Sequence, residues 1–404
     1  MAWSGDEQMV PVRFTGTRRG MAILLLRGYL LLLPTIGLYR FWLTTWKRRF
    51  YWSHTEIGGD ALEYTGNALQ LLLGFLMALA VFVPLYGLFF YLSTQSSEAA
   101  IVGYGGVAIL VWFLMGYAIY RARDFRLSRT LWRGIRFDQA GSAWRYAFRR
   151  FFWSLLVMVT GGLAYPFMTA SLWRYRYSNS WFGDRSFGFT GNWRLVAKAY
   201  YLSWLATVVI GGIGLGFAAA CGAFPDGGAS ANPAGYVPLV LAAALIGLVI
   251  LTYRSREISR MFSAVTLGQA KLHMQISARS LIGQYLLFGL ALLLSYLLLA
   301  AGGFIVLRSV ASAAFANGGF DLAVLVHGLQ SSFVTLLAIL AGYLLLLAAF
   351  SLMRELFLGL GYWKLLARGA SISGLDSLGD VRARGEDTAL GGEGLADALN
   401  VGAY

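Results

Sequence analysis

The chain has 404 residues, of which 58% are hydrophobic and 13% are charged, and its formal net charge is +14. Soluble domains are about a quarter charged, so lipid is the expected solvent for much of this chain. The lysines and arginines fall in short segments between long apolar runs, where juxtamembrane basic residues belong, and this placement argues against a nucleic-acid partner. The composition therefore predicts a polytopic integral membrane protein.

The sequence contains no motif for metal, cofactor or covalent chemistry. Cys221 is the only cysteine, and His54, His273 and His327 follow no metal-ligand spacing. No glycine-rich loop is followed by Lys-Ser or Lys-Thr, as a phosphate-binding loop requires. We therefore predict no internal disulfide, no metal, no cofactor and no enzymatic activity.

Six uninterrupted apolar stretches of about 18 residues or more are long enough to cross a bilayer as helices. Two further stretches, residues 21–38 and 152–172, carry proline and glycine near the middle or end. A membrane interior tolerates such breakers only where neighbouring protein satisfies the freed backbone groups. The predicted fold class is all-α, a polytopic transmembrane helical bundle with internal repeats, six clear spanning helices and two broken segments. The six clear helices cover residues 68–92, 99–120, 199–221, 236–253, 281–307 and 332–353.

The distribution of basic residues predicts the orientation, because lysine and arginine on short loops mark the cytoplasmic side. The loops at 93–98, 222–235 and 308–331 contain only Arg308 between them and are therefore predicted to be external. Each broken segment has basic residues on both flanks. Each of these segments either enters and leaves on the cytoplasmic side or spans with a weak charge bias, and both interpretations stay open. Either count of crossings puts both termini in the cytoplasm of a bacterial inner membrane.

An internal repeat appears when the sequence is shifted by 125 residues. Residues 37–38 (Gly-Leu) fall on 162–163, and residues 64–67 (Tyr-Thr-Gly-Asn) fall on 189–192 (Phe-Thr-Gly-Asn). Each unit includes an even number of crossings, so successive copies enter the membrane in the same orientation, as parallel repeats do. The predicted units are residues 1–125, 126–258 and, as a partial third copy, 259–370, followed by an acidic, glycine-rich cytoplasmic tail at 371–404 that we expect to be disordered.

The first basic connector carries the resemblance to a known family. Its motifs are Gly-Leu-Tyr-Arg-Phe-Trp at 37–42, Lys-Arg-Arg-Phe-Tyr-Trp-Ser at 47–53 and Glu-Tyr-Thr-Gly at 63–66. With residues 392–399 of the tail, they resemble the YjgN-like family of bacterial inner membrane proteins over essentially the whole chain. The resemblance implies a location in the inner membrane, and it implies no activity, because that family has none established.

Arginines around the first and second connectors are candidate contacts to a lipid head group or a phosphate. A helical wheel of the segment after Tyr120 places five arginines on one arc opposite Leu127, Leu131 and Trp132, which predicts an interfacial amphipathic helix. Anchoring on anionic phospholipid is the simpler interpretation, and a phosphate site is the sharper one, since arginine binds phosphate bidentately. The candidates are Arg123, Arg126, Arg129, Arg133, Arg136, Arg48 and Arg49.

A second candidate is the polar connector cluster of His54, Asp60 and Glu63. Two carboxylates and a histidine are suited to acid–base chemistry. Residues of this kind more often pair with neighbouring arginines, here Arg48 or Arg49, and fix the connector. The structural interpretation is favoured, because nothing nearby marks a nucleophile or a substrate pocket.

Ionisable residues are absent from the interiors of the six clear helices, which argues against a charged site at the membrane midplane. Arg27 is the one charge within an apolar segment, the first broken one. A buried functional cation and a guanidinium that snorkels to the head groups are the alternatives, and the cost of burial favours snorkelling.

The repeats, the broken segments and the glycine-rich helices favour a transporter or lipid-handling protein for an apolar or amphipathic substrate. The alternative is a non-transporting scaffold or regulator of a membrane-associated partner at the cytoplasmic face, which the acidic tail favours. In either case, membrane lipid, including anionic phospholipid, is an expected partner.

Overall fold

A computed structural model of the chain describes residues 9–224, 232–306 and 333–384. Arg308, His327 and the tail from residue 385 lie outside these residues, as do part of the predicted external loop at 222–235 and all of the predicted external loop at 308–331. The helices of the described part are α1 (Arg18–Leu32), α2 (Arg40–Ser53), α3 (Ala68–Ser93), α4 (Ser97–Leu127), α5 (Ala143–Val159), α6 (Tyr165–Ser178), α7 (Arg194–Ala220), α8 (Val237–Phe262), α9 (Ala278–Val306), α10 (Phe333–Met353) and α11 (Leu360–Gly369).

Six segments of the described chain are helical, long and apolar enough to cross a membrane. In each of them at most 28% of the most apolar 18-residue window is buried, so these helices present their side chains to lipid rather than to a protein core. The six agree with the six clear helices predicted from the sequence. They are Ala68–Ser93, Ser97–Leu127, Arg194–Ala220, Pro233–Phe262, Ala278–Phe304 and Leu340–Gly369.

Helices α4 and α8 continue past the ends of their apolar runs. The apolar run of α4 ends at Tyr120 and that of α8 at Tyr253, but the helices continue to Leu127 and Phe262. Each extension carries a buried carboxylate, which a search for apolar runs leaves out because the search stops at the first charges.

The second broken segment forms a helical hairpin of α5 and α6. Gly161 and Gly162 make the turn with φ of +58° and +98°, values that suit glycine because it has no Cβ. Across the hairpin, Trp153 Nε1 donates a hydrogen bond to Ser171 Oγ over 3.2 Å. The arms have 17 and 14 residues, or about 26 and 21 Å of helix, and are thus shorter than the hydrocarbon core of a bilayer.

The structure also contains ten short strands, which were not predicted from the sequence. They lie before, between and after the helices along the chain. Four hairpins each join a three-residue strand to a five-residue strand by a two-residue turn. Each turn contains a glycine with positive φ, the geometry that tight hairpins need. The strands are β1 (Val10–Phe14), β2 (Thr55–Ile57), β3 (Asp60–Tyr64), β4 (Thr130–Trp132), β5 (Ile135–Gln139), β6 (Ser180–Phe182), β7 (Arg185–Phe189), β8 (Val265–Leu267), β9 (Ala270–Met274) and β10 (Ala370–Ser373).

The strands pair side by side, all antiparallel, into a closed ring. The ring closes through the two ends of the described chain, since β1 pairs with both β2 and β10. Its core contains Trp132, Phe182 and Leu267 from the hairpins, together with Leu375 and Leu378 from the segment after β10.

The C-terminal prediction needs a correction. Residues 371–373 belong to β10, and Leu375, Leu378 and Val381 are buried in the core of the ring. The apolar residues at these spacings fold residues 371–384 onto the ring, so this part of the predicted tail is not disordered. The predicted unit boundaries at residues 125, 258 and 370 stay a prediction.

The described chain divides into two compact units. The first contains the ten strands, helices α2 to α8 and the segment after β10. The second contains α1, α10 and most of α9. Both candidate sites below lie in the first unit.

Candidate functional site

The arginine-rich segment after Tyr120 is not the single amphipathic helix that we predicted. Helix α4 ends at Leu127, and the chain turns into the hairpin of β4 and β5. Arg133 and Gly134 form its turn with φ of +51° and +73°, which no helix accommodates. The five arginines therefore do not share one helical face.

Arg123 connects four elements near the end of α4. Its Nη1 donates to Gln139 Oε1 on β5 over 2.9 Å and to Ser180 Oγ on β6 over 2.8 Å. It also donates to the carbonyl of Arg176 on α6 over 3.3 Å, and its guanidinium lies 4.7 Å from the centre of the Tyr177 ring. We refer to Arg123, Gln139, Arg176 and Ser180 as the arginine site.

The arginine site has more donors than the described chain satisfies. The charge of Arg176 is close enough to repel that of Arg123, whereas the nearby tyrosines Tyr177, Tyr146 and Tyr120 favour the charged guanidinium. Within the described residues, neither guanidinium has a carboxylate partner. Gln139 is 5% exposed, and its Nε2 is buried and makes no hydrogen bond of good geometry, although the Tyr120 hydroxyl lies close to this side chain; the Nε of Arg176 is also buried without a hydrogen-bond partner. Buried donors of this kind normally have acceptors, so the site is suited to an anion.

Three tyrosines form a rigid wall beside the arginine site. The rings of Tyr120 and Tyr146 are 5.1 Å apart, and the ring of Tyr175 lies 5.6 and 5.9 Å from them. Tyr120 donates to the carbonyl of Ala140, and Tyr175 donates to that of Ser142 over 2.8 Å. These bonds tie α4 and α6 to the chain that follows β5, which fixes the position of Gln139.

A second polar cluster, the glutamate site, lies where the apolar run of α8 ends. Glu257 is 3% exposed, and it accepts hydrogen bonds from Tyr165 over 3.1 Å and from Arg254 over 2.7 Å. Burial raises the pKa of Tyr165 to about 12, and the charge of Glu257 adds to the effect. The phenol therefore stays protonated, and its O–H group donates the hydrogen bond to Glu257. The hydroxyl of Tyr253 is buried without a partner.

The glutamate site also contacts the α5–α6 turn. The Tyr200 ring stacks on Tyr165 at 5.0 Å, and the Tyr200 hydroxyl donates to the carbonyl of Gly162 over 2.7 Å. Trp204 Nε1 donates to the carbonyl of Gly161 over 2.9 Å. The breakers of the second broken segment thus have their free carbonyls satisfied by α7.

Sequence reasoning missed the buried carboxylates of α4 and α8. Asp124, which is 5% exposed, accepts from Arg121 over 2.7 Å, just as Glu257 accepts from Arg254. Each acid lies three residues after its arginine, a spacing that puts both on one helix face. The recurring run Tyr-Arg-X-Arg, followed by an acid, was the available signal.

The predicted connector cluster is not brought together as expected. Asp60 pairs with Arg133 over 2.6 Å, so the expected pairing with Arg48 or Arg49 is wrong for this carboxylate. The reason is the strand register, which brings β3 beside β4 and its turn. His54 follows α2 with its Nδ1 2.8 Å from the carbonyl of Phe50, and Glu63 is exposed on β3.

The remaining arginine candidates make contacts within the protein. Arg129, 5% exposed, donates to Gln70 over 2.9 Å, and Arg136 donates to the carbonyl of Ser128 over 3.2 Å. Arg27 is exposed on α1. Arg126 lies on the last turn of α4, Arg48 donates to the hydroxyl of Tyr64, and Arg49 donates to the carbonyl of Gly66. Head-group binding by this set stays a prediction.

The described residues contain no group of three or more His, Cys, Asp or Glu side chains that could hold a metal ion. Their six long apolar helices define a multi-pass helical membrane protein. The chain belongs to the bacterial family described as "Bacterial protein of unknown function (DUF898)", which matches residues 9–297 and is consistent with the YjgN-like resemblance. Comparison with curated proteins found no match, and neither did comparison with solved structures.

Proposed function

We propose that this chain is a multi-pass protein of the bacterial inner membrane that handles an amphipathic, lipid-like substrate, whose anionic head group binds at the arginine site. The observation that carries the proposal is the proximity of Arg123 and Arg176 without a carboxylate, beside the unpartnered amide of Gln139. A phosphate group supplies several acceptor oxygens and a negative charge, and arginine is the side chain best matched to it.

The depth of the arginine site supports a lipid rather than a soluble anion. Arg123 comes three residues after Tyr120, where the apolar run of α4 ends, and this is the level at which head groups lie. Above that level, Ile109 and Ile101 of α4 are exposed, as acyl chains alongside the helix require.

The α5–α6 hairpin supports entry and exit on the same side of the membrane. Each arm is too short to cross the hydrocarbon core, and both flanks are basic. By the 125-residue repeat, residues 21–38 are proposed to enter and leave on the same side as well. Ile36 and Gly37, which lie between α1 and α2, have positive φ as the turn glycines of the α5–α6 hairpin do. Six crossings and cytoplasmic termini then follow.

The binding test uses the purified full chain in detergent and a soluble short-chain phosphatidylglycerol, with calorimetry as the readout. Arg176→Gln is expected to raise the Kd at least ten-fold, because it removes one charge and its donors. Arg13→Gln, which removes an exposed cation from β1, is the matched control and is expected to change the Kd less than two-fold. An unchanged Kd in Arg176→Gln would remove the basis of the proposal.

Two further arms separate the alternatives. If inorganic phosphate at millimolar concentration competes as strongly as the lipid does, the site binds a free anion rather than a lipid head group. In liposomes, movement of labelled phosphatidylglycerol that falls in Arg176→Gln supports transport. Lipid binding that is retained without lipid movement supports the second candidate, a non-transporting scaffold. The core of buried side chains inside the ring favours this second candidate.

A further inference from the structure

The two broken segments make their turns with different residues at matching positions. By the 125-residue repeat, residues 35–38 (Thr-Ile-Gly-Leu) of the α1–α2 turn correspond to residues 160–163 (Thr-Gly-Gly-Leu) of the α5–α6 turn. Ile36 stands where the second turn has Gly161, and both residues have positive φ, +50° and +58°. A β-branched residue is strained at such a φ, whereas glycine adopts it without strain. The first turn is therefore held in a strained backbone conformation, and the second is not.

Three side chains of α7 hold the second turn in place. Each donates a hydrogen bond to a backbone carbonyl of that turn, so these carbonyls are bonded to protein instead of facing lipid. We refer to these three side chains as the latch. The latch bonds are Tyr200 to Gly162 over 2.7 Å, Tyr201 to Leu163 over 3.1 Å and Trp204 to Gly161 over 2.9 Å.

The corresponding positions of α3 cannot form a latch, because their side chains contain no hydrogen-bond donor. The same 125-residue shift places Phe75, Leu76 and Leu79 at these positions. The packing supports this correspondence. The guanidinium of Arg40, the first residue of α2, lies 4.4 Å from the centre of the Phe75 ring, just as Tyr165, the first residue of α6, stacks on Tyr200. The first turn thus combines a strained residue with the loss of the three latch donors.

The division of the described chain into two compact units also falls at the first turn. The second unit includes α1 up to Gly37, and the first unit resumes at Leu38, whereas both arms of the α5–α6 hairpin belong to the first unit. Ile36 is 93% exposed. We infer that residues 35–38 are a hinge that changes its backbone conformation, while the latch keeps the α5–α6 turn fixed. A hinge is a few residues that absorb a φ/ψ change, and leaving a strained φ favours that change.

The test compares two matched pairs of spin labels on the full chain in nanodiscs, in a Cys221→Ala background. One pair is at Leu31 on α1 and Ser53 on α2, and the repeat places the other at Leu156 on α5 and Ser178 on α6; all four residues are exposed. Pulsed electron paramagnetic resonance measures the distance distribution of each pair. We expect the first distribution to be about two-fold broader than the second, because only the first turn changes conformation. Equally narrow distributions would overturn the inference, even without a latch variant.

Exchanging the latch positions then tests the cause. Phe75→Tyr combined with Leu79→Trp gives α3 two latch donors and is expected to narrow the first distribution to the breadth of the second. Leu79→Phe, which adds a ring without a donor, is the control and is expected to leave the first distribution as broad as in wild type. Tyr200→Phe combined with Trp204→Leu removes two latch bonds and is expected to broaden the second distribution. Exchanges that leave both distributions as in wild type would contradict the role of the latch.

Discussion

Helices α4 and α8 end in the same pattern, a tyrosine, two arginines and an acid, yet they build different sites. At α8, Glu257 is fully engaged by Arg254 and Tyr165, and Arg256 is exposed. At α4, Asp124 accepts a hydrogen bond from Arg121 and is also stabilised by the charge of Arg129, while Arg123, the arginine that corresponds to Arg256 in the pattern, donates to Gln139 and Ser180.

The partners supplied by neighbouring strands decide this difference. Gln139 and Ser180 are neutral acceptors, so they hold Arg123 in place without cancelling its charge. Arg176 adds a second positive charge. One sequence pattern thus gives an acid paired with one arginine at α8, where the second arginine is exposed, and a cluster with uncompensated positive charge at α4, and only the latter is suited to an anionic ligand.

The largest expected effect comes from giving the arginine site the acid it lacks. Gln139→Glu keeps the shape of the side chain, pairs with Arg123 and removes the unpartnered amide nitrogen. We expect the Kd for short-chain phosphatidylglycerol to rise ten- to hundred-fold, or about 1.4 to 3 kcal/mol, while thermal stability without ligand is kept or raised. Calorimetry and thermal unfolding measure the two effects. An unchanged Kd for the lipid would show that the uncompensated positive charge of the arginine site does not contribute to lipid binding.

The reverse exchange at α8 is expected to act on stability alone. Glu257→Gln removes the buried charge that Tyr165 and Arg254 stabilise, at a cost of about 1–3 kcal/mol in the free energy of unfolding. Lipid affinity is expected to stay within two-fold of wild type, because the site holds no uncompensated charge. A loss of affinity equal to that of Gln139→Glu would erase the distinction between the two sites.

A pH dependence is expected at the glutamate site, and it is confined to alkaline solution. The pKa of Tyr165 is raised from 10 to about 12, so its contribution to stability is present below pH 10. Between pH 10 and 12 the unfolded chain loses this proton while the folded chain keeps it. Stability therefore falls with rising pH, by up to about 1.4 kcal/mol per unit. Tyr165→Phe is expected to fall less steeply across that window in unfolding measurements, and parallel curves would show that Tyr165 titrates normally.

The six spanning helices could be predicted from the sequence because apolar runs of membrane length are rare outside membrane-spanning helices. The strands could not, since stretches of three to five residues such as Thr55–Ile57 are too short to show a period, and their pairing partners are set by the ring. The helical interpretation of residues 123–136 was wrong because the strands in this stretch are also too short to show a period. Five arginines at helical spacing fit a helix end followed by a hairpin as well as they fit one helix.

Part of the arginine site could be predicted, and part could not. Arg123 was a candidate because it belongs to a basic stretch beside an apolar run. Gln139 and Ser180 carry no signal of their own, and they reach Arg123 only because the β5–β6 pairing places Gln139 opposite Ser180. Asp124 and Glu257 were missed because the helices extend past their apolar runs.

The most direct test of the account uses a phosphatidylglycerol with a photoreactive head group, in nanodiscs that contain the full chain, with cross-linked peptides mapped by mass spectrometry. We expect the label on residues 120–139 and 173–182, and we expect it to be lost in Gln139→Glu and retained in Glu257→Gln. Label that stays in Gln139→Glu, or that concentrates around Arg254 and Glu257 instead, would contradict the claim that the arginine site holds the head group.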